Sequence, residues 1–267
     1  MAFEHMIKNL YVWEYWWDFS KWTLAQTSSA LSSTWWGGIF FNTDWSKIYL
    51  TQFWNWWRLY ECALSTPFDI TTIGNFNKYI SVTYPEDIHF SPDWTKLFLI
   101  KADISPYQLL RYTLTTPRDI STAVQDQSIN RGTADWDRWL YITDDWKWVY
   151  ISRSSSFNPK WLFYASLSTA WDLTTASTFT QISTTLSWFS IWFWDNGNIF
   201  LNAEENWTTI NYHRLSTPYD ITSITESGTV SVWTNAAGWM WFNDKWTFWA
   251  TVWWWGNSNY IYKYTLR

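Results

Sequence analysis

Apolar residues in this chain come in short runs, each closed by a polar turn, and the runs return with a fixed beat. Five segments superimpose: FNTDWSKIYL, FSPDWTKLFL, ITDDWKWVYI, FWDNGNIFL and FNDKWTFWAT. Their turn residues are Trp45, Trp94, Trp146, Gly197 and Trp246, in steps of 49 to 52 residues. A second landmark, LSTPFDI, LTTPRDI, LSTAWDL and LSTPYDI, keeps the same period. Its leucines are Leu64, Leu114, Leu167 and Leu215, each followed five residues later by Asp69, Asp119, Asp172 or Asp220. Leu266, near the end of the sequence, opens a fifth copy. Two landmarks with one period mark a tandem repeat.

Each period predicts four strands. The first is of the DIHFSPD type, the second TKLFLI and the third QLLRYTL; the fourth is exemplified by NKYISVT, Asn77 to Thr83. Proline after Thr fixes φ and cannot donate to a ladder, so it belongs at the end of the third strand. The aspartate two residues later can accept bonds from nearby backbone N–H groups and close that turn. No segment reads as a helix. Four-stranded units of about 50 residues in tandem predict an all-β β-propeller of about five blades, which bury their faces only against one another. The repeats run over about 30–76, 77–128, 129–180, 181–230 and 231–267, with extra strands in 8–29. The fifth copy lacks a fourth strand, and 22–29 is expected to supply it. A strand over 8–15 would then be surplus, a hint of a longer array.

FSPDWTKLFLI followed by LTTPRDI resembles a family of tandem propeller repeats in bacterial and phage surface or secreted proteins. Those repeats read F-x-P-D-G-T-K-L-Y-V and then L-S-T-P-W-D-I, and the resemblance covers about residues 8 to 266. The chain is more distantly similar to lactonase-like and NHL-type propellers. The first resemblance implies a non-enzymatic binding or structural module at a cell or virion surface, with a protein or carbohydrate partner. The second implies, as the alternative, a metal-dependent hydrolase.

The departure from the family is systematic: where it has glycine, this chain has tryptophan. There are 29 Trp and only 8 Gly in 267 residues, against an average glycine usage of about 7%. An Asp-Gly turn needs φ > 0, which costs a residue with a Cβ roughly 1–2 kcal/mol. Trp45, Trp94, Trp146 and Trp246 occupy that place, while the fourth copy keeps Gly197. Runs such as NWWR and VWWWGN become ordinary loops when glycine replaces tryptophan, as do nearly all the other sites. Trp171 is the exception, because its site carries Phe68, Arg118 and Tyr219 in the other copies. The expectation is that UGA codons, read as glycine by some bacteria and their phages, stand here as tryptophan. The alternative is a natural aromatic platform for stacking on sugars.

Charge and chemistry narrow the picture little. The net charge is −5 and the 18 basic residues are scattered, which argues against a nucleic-acid partner. The single Cys62 lies in an apolar strand pattern and reads as a buried structural thiol. No run of residues is long and apolar enough to span a membrane, and a monomeric domain is expected. His5, His89 and His213 show no ligand spacing; the latter two read as hydrogen-bonded structural histidines. Loops on a rigid scaffold are where recognition concentrates, so candidate ligand-binding residues are sought between second and third strands and between repeats. They are Glu86, Asp87, Arg131, Asp135, Asp137, Arg138, Glu204 and Glu205. No catalytic or metal-ligating residue and no cofactor is expected. Calcium at Asp135 and Asp137 is the alternative left open, although TADWDR lacks the further acidic positions of a known calcium loop.

Overall fold

The structure, a computed structural model, describes residues 22–28, 31, 36–52, 57–101, 107–131, 137–143, 145–153, 161–183, 190–203, 209–231, 239–242, 248–253 and 260–266. These form antiparallel sheets of four strands each. The first sheet is β2 (Trp36–Phe41), β3 (Lys47–Gln52), β4 (Arg58–Ala63) and β5 (Lys78–Ser81). The second is β6 (Pro85–Phe90), β7 (Lys96–Lys101), β8 (Gln108–Leu114) and β9 (Ala123–Asn130). The third is β10 (Asp137–Ile142), β11 (Trp148–Arg153), β12 (Trp161–Ser166) and β13 (Thr180–Ser183). The fourth is β14 (Ile191–Trp194), β15 (Ile199–Ala203), β16 (Thr209–Leu215) and β17 (Ile224–Ser231). The fifth joins β18 (Trp239–Phe242), β19 (Phe248–Trp253) and β20 (Tyr260–Leu266) to β1 (Trp22–Thr27) from the other end of the chain. The first strand of each sheet packs against those of its neighbours around one axis, the arrangement of a β-propeller.

Burial follows position in the blade. The second strands β3 and β11 are buried along almost their whole length because sheets cover both faces, which is why their central residues, Ile48 to Leu50 and Val149 to Ile151, form unbroken apolar runs. The fourth strands β5 and β9 lie at the rim and alternate between half-buried and exposed. Closure is made by β1, which pairs with β20 from Trp22↔Leu266 to Thr27↔Tyr262. Ser28 secures the end of this ladder, donating its N–H to Ile261 O at 2.9 Å and accepting Ile261 N on Oγ at 3.0 Å.

The turn between first and second strands repeats in detail. Trp45, Trp94 and Trp146 donate their N–H to Asn42, Ser91 and Thr143 O at 3.0, 2.9 and 2.8 Å, with φ of 57, 62 and 57°. Gly197 makes the same bond to Trp194 O at 3.0 Å with φ of 86°. Asp44 and Asp93 accept from the N–H two residues on, at 3.0 Å each, which sets the left-handed kink.

Three expectations are corrected. The chain is not free of helix: single 3₁₀ turns follow the repeated aspartates at Ile70–Thr72, Ile120–Thr122, Leu173–Thr175 and Ile221–Ser223. Each aspartate caps its turn, as Asp69 does by accepting Thr71 N at 3.0 Å. The fourth strand of the first repeat starts at Lys78 rather than Asn77. The sequence YPED is also not a loop, since Pro85 begins β6 and Glu86 and Asp87 continue it. The surplus strand expected over 8–15 lies outside the described residues. No helix among them is long and apolar enough to cross a membrane.

One side chain from each innermost strand meets its neighbours near the axis. Phe40, His89, Tyr141, Trp192 and Trp241 form a closed circuit of edge-to-face contacts. Successive ring centroids are 5.4, 5.4, 5.2, 6.3 and 6.0 Å apart. Such contacts add about 0.5–1.5 kcal/mol each beyond area burial. Tyr141, 2% exposed, also donates its hydroxyl to Phe193 O at 3.3 Å. Tyr141→Ala is therefore expected to cost about 3–5 kcal/mol and Tyr141→Phe about 1 kcal/mol, measured by urea unfolding.

Candidate functional site

Next to the aromatic circuit, β6 and β10 bring three of the sequence-predicted residues together. Glu86 is fully buried, and its Oε1 lies 2.6 Å from Arg138 Nη1 on β10. The Glu86 carbonyl accepts the Thr51 hydroxyl of β3 at 2.7 Å, so this residue ties the second sheet to both neighbours. Asp87 Oδ1 accepts Ile88 N at 2.9 Å and Oδ2 accepts Leu140 N of β10 at 2.8 Å. Burial pushes the Asp87 carboxyl up to about 8; the two N–H donors pull it down, and the neighbouring Glu86 adds to the rise.

Glycine makes this approach feasible. A Cβ on Gly37 would stand 2.5 Å from Glu86 O, and one on Gly38 would clash with Asp87 Oδ1. The Gly37–Gly38 pair on β2 is thus a close-contact site between the first and second sheets, for which only a residue without a side chain fits.

The other candidates do not join this cluster. Arg131 follows β9 at the rim, where its guanidinium lies 3.6 Å from the Phe179 ring centroid and 5.0 Å from that of Phe163. Asp137 begins β10, its backbone opposite Arg153. Asp135, Glu204 and Glu205 lie outside the described residues, so of the proposed calcium pair only Asp137 is described. Among the described residues no three His, Cys, Asp or Glu side chains are grouped so as to hold a metal ion.

His89, His213 and Cys62 are buried in the scaffold. His89 belongs to the aromatic circuit, and burial holds its imidazole down to about 3, hence neutral. His213 lies 2.8 Å from Ser227 Oγ through Nδ1 and 3.0 Å from Asn202 Oδ1 through Nε2; burial lowers it to about 4. Cys62 is fully buried and its thiol is pushed far up by burial. His5 lies outside the described residues.

Sequence reading found Glu86, Asp87 and Arg138 but placed them on a variable loop face. It missed their partners, Thr51 and the Leu140 N–H. The alternation in PEDIHF is hidden because all six residues of β6 are buried. Only the spacing to the turn, which aligns Asp87 with Gly38, Trp139 and Ser190, carried a signal.

No protein-family profile and no curated protein sequence matches the chain. Solved structures do resemble it in shape. A protein from Lactobacillus plantarum is 14% identical over 78% of this chain and 60% of its own, with a TM-score of 0.51. Hydrazine synthase of Kuenenia stuttgartiensis is 11% identical over 84% of this chain and 70% of its own, with a TM-score of 0.50. A periplasmic gluconolactonase of Pseudomonas aeruginosa is 10% identical over 81% of this chain, with a TM-score of 0.48. This chain spans 60% of the length of that gluconolactonase and of the Lactobacillus plantarum protein. At these identities the likeness shows the fold alone.

Two outcomes test the cluster. The Asp87 carboxyl is raised on folding, so the unfolded chain releases its proton first as pH rises. Stability is expected to decline from about pH 4 to about pH 8, where the folded-state group ionises, and then to level off. Denaturant midpoints across that range measure it, and Asp87→Asn should flatten the decline. Arg138→Met, which removes the cation from a buried pair, is expected to cost about 3–5 kcal/mol by the same assay.

Proposed function

We propose that this protein is a non-enzymatic binding module, taking a protein or carbohydrate partner at a cell or virion surface. One observation carries the reading: among the described residues, the acidic side chains beside the axis, Glu86 and Asp87, hold sheets together. Glu86 is paired with Arg138, and both oxygens of Asp87 accept backbone N–H groups. Beside them, Phe40, His89 and Tyr141 turn aromatic surface toward one another.

The alternative, a metal-dependent hydrolase of the lactonase-like kind, draws on the shape likeness to a gluconolactonase. It requires carboxylates free to meet a metal ion and a lactone. An assay of glucono-δ-lactone hydrolysis with calcium, zinc or manganese added separates the two readings. The expected result is no metal-dependent rate above buffer. A rate that Glu86→Gln abolishes in a still-folded protein establishes the hydrolase instead.

We also infer that Trp45, Trp94 and Trp146 stand at glycine positions of the repeat. All three have φ > 0, as Gly197 does. At the glycine-bearing turn a Cβ would lie 2.6 Å from the Tyr219 ring, so that ring packs directly on the backbone. In the other copies the corresponding Phe68, Arg118 and Trp171 meet an indole instead. Trp146 and Trp171 are pressed to a centroid separation of 3.2 Å, below the 4.5–7 Å usual for aromatic pairs. The indole N–H groups of Trp94 and Trp146 are buried without an acceptor among the described residues, which costs about 1–3 kcal/mol each. The mass of the tryptic peptide Ile48 to Arg58, taken from the protein made in its native host, decides the question. A mass for IYLTQFGNGGR is expected, and one for IYLTQFWNWWR refutes the inference.

A further inference from the structure

In three copies the segment after the third strand rests on the sheet before it through three contacts: its carbonyl, its aspartate and the next N–H. In the first copy Lys263 Nζ reaches Phe68 O at 2.5 Å. Gln26 then donates to Asp69 Oδ1 at 3.1 Å and accepts Ile70 N at 3.3 Å. In the second copy Lys47 Nζ and Tyr49 Oη reach Arg118 O at 2.9 and 2.8 Å. Lys78 Nζ pairs with Asp119 at 2.8 Å, and Glu61 Oε2 accepts Ile120 N at 3.0 Å. In the third, Arg111 Nη1 reaches Trp171 O at 2.5 Å. Gln127 donates to Asp172 and accepts Leu173 N, both at 2.8 Å.

The fourth copy keeps only the first contact, from the Tyr150 hydroxyl to Tyr219 O. Asp220 accepts from Thr222 of its own turn, through N at 2.9 Å and Oγ1 at 2.6 Å. No side chain of the third sheet among the described residues reaches Asp220 or Ile221 N. The strand register shows why. Gln26 sits opposite Lys263, Lys78 opposite Glu61 and Gln127 opposite Arg111. At the same place in the third sheet stand Thr180 and Tyr164. Threonine is too short to span the junction, and tyrosine brings a ring where the other copies bring a charge.

What replaces the missing contacts is a cavity of about 410 Å³, walled by Tyr150, Tyr164, Ile182, Pro218, Asp220 and Ile221. The two tyrosine rings lie 6.1 Å apart at 23°. We propose that this cavity binds a neutral sugar ring. Two of the three filled junctions show what the site accepts: a carboxamide, which gives a hydrogen to the aspartate and takes one from the following N–H. A vicinal pair of sugar hydroxyls offers the same adjacent donor and acceptor, to Asp220 and to Ile221 N. The C–H face of the ring packs on Tyr164, burying apolar surface that a linear amide leaves open. The volume falls within the 300–1,000 Å³ range usual for small-molecule sites. Trp148 extends the wall, but none of these contacts depends on it. The cavity lies between the third and fourth sheets, beside the aspartate-capped turn, and is separate from the loops invoked above for partner binding.

Saturation-transfer NMR with methyl glycosides of glucose, galactose and N-acetylglucosamine, and with propionamide as a control, tests the proposal. Transfer to the ring C–H protons of at least one glycoside is expected, with loss in Thr180→Gln. That substitution installs the side chain found in the third junction and should leave the thermal midpoint unchanged or higher. Should Thr180→Gln not fold, Tyr164→Leu is expected to give the same loss. Absence of transfer from every glycoside overturns the proposal, as does transfer that survives in a folded variant. Transfer to propionamide alone also overturns it and assigns the cavity to a side-chain amide. Loop substitutions over 102–106 and 154–160 should leave the transfer unchanged, so failure here and failure of the surface-binding reading are told apart.

Discussion

A ring of sheets that bury their faces only against one another cannot have exposed ends, and everything else in this structure depends on the pairing of β1 with β20. That ladder joins residues some 240 positions apart and turns a row of repeats into a closed ring. Without it the β20 edge would meet water and the Asp69 turn would lose its contacts with Gln26. The aromatic circuit at the axis closes only because the sheets do, since Phe40 of the first sheet must meet Trp241 of the fifth. Loop-closure entropy grows only slowly with length, so one short ladder suffices to hold so long a circuit shut.

Within the ring, polar side chains act mainly as fasteners between sheets. Glu86, Asp87 and Arg138 join the inner strands, while Gln26, Glu61, Lys78 and Gln127 hold the aspartate-capped turns to the preceding sheet. A buried charge is costly unless paired and hydrogen-bonded, which is why these groups come in matched sets. The fourth turn departs from the rule, and a cavity opens there. The same comparison between copies that identifies a scaffold residue also identifies where the scaffold is missing.

The tryptophans at the turns are where local preference and global fold conflict most openly. Consistency across levels is the mark of a sequence suited to its backbone. Here the repeat, the turn bonds and the strand register all agree, and only the residue type at φ > 0 does not. Phe68, Arg118, Trp171 and Tyr219 show that positive φ does not require glycine everywhere in this fold. Of those four side chains Phe68 is exposed, Arg118 and Trp171 are half-buried and Tyr219 is packed on the Gly197 turn, whereas Trp45, Trp94 and Trp146 are all buried.

The sequence by itself determined the repeat, the four strands per repeat, the propeller class and the use of an N-terminal strand, observed as Trp22–Thr27, to complete the last sheet. Each of these rests on local information: periodic apolar runs, turn chemistry and the count of strands. It also marked Glu86, Asp87 and Arg138, as charged residues of what read as a variable loop face. Tertiary structure alone decided that these are buried fasteners, since Arg138 is 52 positions from Glu86 and no pattern along the chain pairs them. The cavity at Asp220 was equally invisible. It arises from the absence of a reach across two sheets, and an absence of that kind has meaning only once the register places Thr180 where other copies carry Gln26, Lys78 and Gln127.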